Sequence, residues 1–110
     1  MRRALATVIL LLSLPALALD VDALREKAMK GDYQAQRNLA YTLATGSGAA
    51  SSQNPTLGCA WYKLILLSGS EKIHDGDIGN VKVYCGQLTT DQQSVADKQA
   101  RRLAKQIYGD

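Results

Sequence analysis

Phenylalanine is absent from this chain of 110 residues, and histidine occurs once, at His74. One histidine and two cysteines, with no C-x-x-C spacing, argue against a tetrahedral zinc site. No glycine-rich phosphate loop and no serine-nucleophile motif occurs, which removes the commonest signatures of nucleotide-binding and hydrolytic enzymes. The longest apolar run reaches about 16 residues and contains Pro15, short of the roughly 20 that a spanning helix needs. A charge excess is also missing. The formal charge is +3; without Arg2 and Arg3, Lys+Arg 11 stands against Asp+Glu 10, or +1. That balance gives no electrostatic footprint for nucleic acid. The length excludes a two-domain enzyme or a large barrel. No cofactor, metal or small-molecule substrate is expected.

What is present begins with an export pattern. Met1-Arg2-Arg3 is a basic start, Ala4 to Leu14 an apolar stretch, Pro15 a helix breaker, and Ala16-Leu17-Ala18 a small-residue cleavage site. Residues 1–18 read as a secretory signal and residues 19–110 as one domain, periplasmic or secreted. In such an oxidising compartment Cys59 and Cys85 read first as a disulfide. A reactive thiol or a metal pair is the rival reading. A bridge closing this loop contributes roughly 3.5 kcal/mol on the chain-entropy estimate.

Five helical segments follow. Val21, Leu24 and Ala28 share one helical face. Gly31-Asp32 stops that helix and caps the next, which runs from Tyr33 to about Ala44 with Ala35, Leu39 and Leu43 as its stripe. Thr45 to Gln53 is a small, polar loop. Asn54-Pro55 opens a third helix to about Ser68, with Ala60, Leu64 and Leu67 on one face and Trp61 and Ile65 on another. A fourth segment, about Asp77 to Gln87, is helix or strand: Ile78, Val81 and Cys85 fit a helix, Val81, Val83 and Tyr84 a strand. Thr90 to Gln93 fits a capping box for a last helix to Tyr108, striped by Ala96, Ala100, Leu103, Ala104 and Ile107. The short turn at Gly31-Asp32 makes the first two helices an antiparallel hairpin. Cys59, near the start of the third helix, then neighbours Cys85, near the end of the fourth.

Ala23 to Gly31 aligns with Trp61 to Gly69 at an offset of 38, close to the repeat length of two-helix solenoids. Ala28-x-x-Gly31-Asp32-x-x-Ala35-Gln36-x-x-Leu39-Ala40, then Gly46, then Ala60-Trp61-Tyr62-Lys63, resembles the Sel-one-like repeat family, a relative of the tetratricopeptide repeats. Leu88-Thr89-Thr90-Asp91-Gln92 resembles the segment that opens a terminal helix in short bacterial members. The loop after Gly46 lacks the family's usual V-x-x-D, and Gly69-Ser70-Glu71 does not open another repeat. The resemblance implies an all-α fold: a short solenoid fragment of antiparallel helix hairpins, about five helices, with a C-terminal capping helix. It also implies a protein-interaction module without catalysis, acting on another protein in the envelope.

Candidate partner contacts are Tyr41 and Tyr62 on helix faces and, with Lys98 and Lys105, the basic residues Arg101 and Arg102. His74-Asp75-Gly76-Asp77 resembles the start of a calcium loop, but the later ligands are missing. It reads as a solvated loop with Asp77 capping a helix. A second functional reading is a small periplasmic inhibitor or immunity protein that blocks a secreted envelope-targeting enzyme, with Thr45–Gln53 or Ser70–Gly76 as the plugging loop.

Overall fold

Asp32, Asn54 and Thr89 are short polar residues standing before apolar stripes, and in the computed structural model each caps the helix that follows. The structure describes residues 21–47 and 53–109. The proposed signal at 1–18 and residues 48–52 of the polar loop lie outside them. Five helices occur among the described residues: α1 (Val21–Met29), α2 (Tyr33–Thr45), α3 (Pro55–Leu67), α4 (Asp75–Gly86) and α5 (Thr90–Tyr108). The fold is all-α, and the fourth segment is helix rather than strand.

The caps explain the boundaries. Gly31, at φ 90°, ends α1, and Asp32 Oδ1 accepts from Ala35 N at 2.8 Å to begin α2. Gly46, at φ 73°, closes α2 by donating its N–H to Thr42 O. Asn54 Oδ1 accepts from Leu57 N at 3.1 Å, with Pro55 in the first turn of α3. The helix α4 starts two residues before the expected Asp77, because His74 Nδ1 accepts from Gly76 N at 2.9 Å. The last capping box also lies one residue earlier than expected. Thr89 Oγ1 accepts from Gln92 N at 3.1 Å, and Gln92 Oε1 accepts from Thr89 N at 2.9 Å. Gln93 is thereby freed to donate to Cys85 O and Leu88 O, which ties α5 to the end of α4.

Around the central α3 pack α2, α4 and α5, while α1 pairs with α2 and touches α5. Ala28, Ala35, Leu39, Ala40, Leu43, Trp61, Leu64 and Ile65 form the main core. A second cluster joins Cys59, Ala60, Cys85, Ala96 and Ala100. Buried alanines on α1, α2, α3 and α5 permit this close approach. Leu67, expected on a buried stripe, is exposed, since it lies in the final turn of α3. The helix α1 meets α5 through Gln36, whose buried side chain donates to Ala28 O at 3.1 Å and to the Tyr108 hydroxyl at 3.0 Å. The last helix thus returns to the first. Gly58 marks another close approach. A Cβ there would lie 2.6 Å from Ala44 N and 2.9 Å from Ala44 Cα.

Cys59 and Cys85 are bonded, with Cα atoms 5.0 Å apart. The bridge fastens the C-terminal end of α4 to the first half of α3. It matters because α4 buries only Asp77 and Cys85 and leaves Ile78 and Val83 exposed.

Candidate partner-docking groove

The helices α2 and α4 are not neighbours in the chain, yet their side chains meet across α3. On α2, Gln34, Asn38 and Tyr41 fall at i, i+4 and i+7, one polar helical face. On α4, Asn80 and Tyr84 fall at i and i+4. With Arg37 and Tyr62 they line a cleft of about 240 Å³. Small-molecule sites commonly enclose roughly 300–1,000 Å³. The cleft is therefore sized for one partner side chain rather than a large ligand.

Three tyrosines form its aromatic part. The Tyr84 ring stacks on Tyr62, with centroids 5.1 Å apart and planes at 12°. It meets Tyr41 edge-on at 6.3 Å and 89°. Tyr41 is 48% exposed, whereas Tyr62 is 3% exposed. The expectation that both tyrosines are open contacts is thus corrected for Tyr62. It sits on the central helix, enclosed by its neighbours, and forms the floor of the groove. Burial, with the neighbouring Tyr84 next in effect, pushes the Tyr62 phenol up to about 12. The phenol keeps its proton at neutral pH and can donate it in a hydrogen bond.

The lining residue Arg37 pairs with Asp77, which is only 1% exposed. His74, Asp75 and Gly76 are exposed and Asp77 does cap the helix, as expected, but Asp77 itself is buried rather than solvated. Asp77 Oδ2 accepts from the Tyr33 hydroxyl at 2.7 Å and from His74 N at 3.0 Å. Its Oδ1 lies 3.2 Å from Arg37 Nε. Burial, followed by the bond to Asp77, raises the Tyr33 phenol above its ordinary range. A buried carboxylate is tolerated here because donors from α2 and α4 converge on it. The Arg37 guanidinium also lies 5.8 Å from the centroid of the Tyr33 ring.

The basic residues of α5 lie elsewhere. Arg101 pairs with Asp97 at 3.0 Å on the same helix, and Lys63 approaches Asp97 at 3.6 Å. The Arg101 hydrogen bond, the largest influence, holds the Asp97 carboxyl below its ordinary value. Arg101 and Arg102 are exposed and do not line the α2/α4 groove. Among the repeat-motif residues, Ala28, Ala35, Gln36, Leu39, Ala40, Ala60 and Trp61 are buried, while Gly31, Asp32 and Gly46 make helix ends.

Gln34, Arg37, Asn38, Asn80 and Tyr84 were not singled out by sequence reasoning. The polar i, i+4, i+7 face on α2 was a usable signal. Nothing in the pattern of α4 pointed toward α2. Among the described residues no group of three or more His, Cys, Asp or Glu is placed to hold a metal ion. No described helix is long and apolar enough to cross a membrane. Comparison with protein-family models, curated proteins and solved structures finds no match for the chain.

Proposed function

We propose that this protein is an exported protein-interaction module, of the kind the Sel-one-like resemblance implies, with no catalysis of its own. It docks a segment of an envelope partner in the α2/α4 groove. The observation that carries this reading is the grouping of Tyr41, Tyr84 and Arg37, drawn from two helices, around a cleft of side-chain size. Tyrosine and arginine are the residues that most often anchor protein interfaces. The buried Tyr62 floor and the Arg37–Asp77 pair pre-organise the groove, which lowers the ordering cost of docking. The disulfide fits an oxidising compartment.

The inhibitor reading draws support from one feature. The turn after α3 is braced by Ser70 N donating to Ser68 Oγ and Lys72 N to Ser70 Oγ, each at 3.1 Å. An exposed and braced loop is a suitable plug for an enzyme cleft. A photo-crosslinking amino acid placed in living cells at position 38, 72 or 102 separates the readings. The docking reading expects one partner captured from position 38, with capture lost on Tyr84→Ala. Capture from position 72 favours the inhibitor. Capture from position 102 alone overturns both.

A further inference from the structure

We propose that the α2/α4 groove selects an acidic segment of its protein partner, with Arg37 receiving a carboxylate between Asn38 and Asn80; this rests on the docking reading above. Arg37 carries the only formal charge among the lining residues. Its Nε is buried against Asp77, while 30% of the side chain stays exposed. The contact with Asp77 is an ion pair without a hydrogen bond at Nε. A partly exposed guanidinium offers the paired donors that a carboxylate takes best.

The surrounding groups are donors too. Gln34 Nε2 donates to Asn38 Oδ1 at 3.1 Å, which leaves the Asn38 Nδ2 donors for a ligand. The Tyr62 phenol is protonated at neutral pH, as phenols ordinarily are, so the floor adds no negative charge. Asp77 does not compete for the ligand's place. Its Oδ2 is already engaged by Tyr33 and His74, and its side chain is buried and does not line the groove. The acid therefore acts as a positioning residue that sets the guanidinium in place. Tyr41 and Tyr84 present aromatic surface to the residue beside the carboxylate.

The test is a side-chain amide NMR titration of the oxidised full chain with two acetylated, amidated nonapeptides. One carries Glu at alternate positions and the other carries Gln there. Chitotriose serves as a neutral sugar probe. The proposal expects the Glu peptide to shift the Asn38 and Asn80 amides and to bind about tenfold more tightly than the Gln peptide. That preference falls as salt rises from about 50 to about 300 mM. It is lost in the double variant Arg37→Met, Asp77→Asn, which removes both charges together. Asn80→Ala weakens binding without touching the ion pair. Amide spectra of both variants check that the fold is kept. Equal binding of the two peptides at these amides overturns the acidic preference and leaves docking intact. Shifts produced by chitotriose alone overturn both readings. A flat titration with every probe overturns the acidic-segment proposal, and crosslinking from position 38 then judges docking separately.

Discussion

The Tyr33 hydroxyl donates to Asp77 Oδ2 at 2.7 Å, joining the first residue of α2 to the first turn of α4. The bond crosses 44 positions of sequence and helps to hold the start of α4 in place. The disulfide fastens the opposite end of the helix. Each tie supports a distinct expectation.

Tyr33→Phe removes a donor from a buried carboxylate and should cost about 1–3 kcal/mol. Asp77→Ala leaves Arg37 without its partner and should cost more, about 3 kcal/mol, the low end for a broken buried pair because Arg37 is partly exposed. Urea unfolding of the oxidised proteins measures both. A loss below half a kilocalorie for Asp77→Ala would remove the carboxylate as an anchor.

Reduction should lower the stability of the native protein by roughly 3.5 kcal/mol. The double variant Cys59→Ala, Cys85→Ala should already be that unstable and should not respond to a reductant. Hydrogen exchange should accelerate first in α4, which buries little apolar surface. Uniform acceleration across all helices would contradict the view of α4 as a tethered element.

Two glycine substitutions should act with opposite sign. Gly58→Ala places a methyl 2.6 Å from Ala44 N and should destabilise by about 1–3 kcal/mol, despite better helix propensity. Gly79→Ala, in the interior of α4 with nothing within 4 Å of its Cβ, should stabilise by about 0.5–1 kcal/mol. Thermal unfolding of the pair decides the matter. A stabilised Gly58→Ala would show that α2 and α3 do not approach so closely.

Alkaline pH should weaken the fold through the phenols. The Tyr62 pKa is raised from 10.0 to about 12 by burial. Its stabilising contribution is complete below pH 10 and is lost as pH rises toward 12, because the unfolded chain releases that proton first. Tyr33 acts in the same direction. Tyr62→Phe should therefore flatten, without abolishing, the fall in stability above pH 10. An unchanged slope in that variant would sever the link to Tyr62.

The helices were legible because stripe and cap agree at nearly every one. Asp32, Asn54 and Gly46 mark their own boundaries, and the Gly31-Asp32 turn dictates a hairpin. Trp61 read as core because its helix is apolar around most of its circumference. The placement of Cys59 opposite Cys85 followed from antiparallel packing alone. The groove was less legible for a physical reason. It depends on α2 facing α4 across a third helix, and sequence periodicity describes one helix at a time. Asp77 was legible as a helix cap but not as a buried residue, because a short run with two aspartates and a glycine has the composition of a solvated turn. Its burial depends on Tyr33 and Arg37 arriving from a distant helix. Tyr41 and Tyr62 look alike in sequence. Only the central position of α3 makes one a rim residue and the other a floor.

The most direct measurement is a hydrogen-exchange footprint of the oxidised protein bound to the partner captured by crosslinking from position 38. The account predicts slowed exchange over residues 34–41 and 80–84, with residues 70–76 and 98–105 unchanged. Protection confined to the α5 basic face or to the loop before α4, with the groove still exchanging as in the free protein, would contradict it.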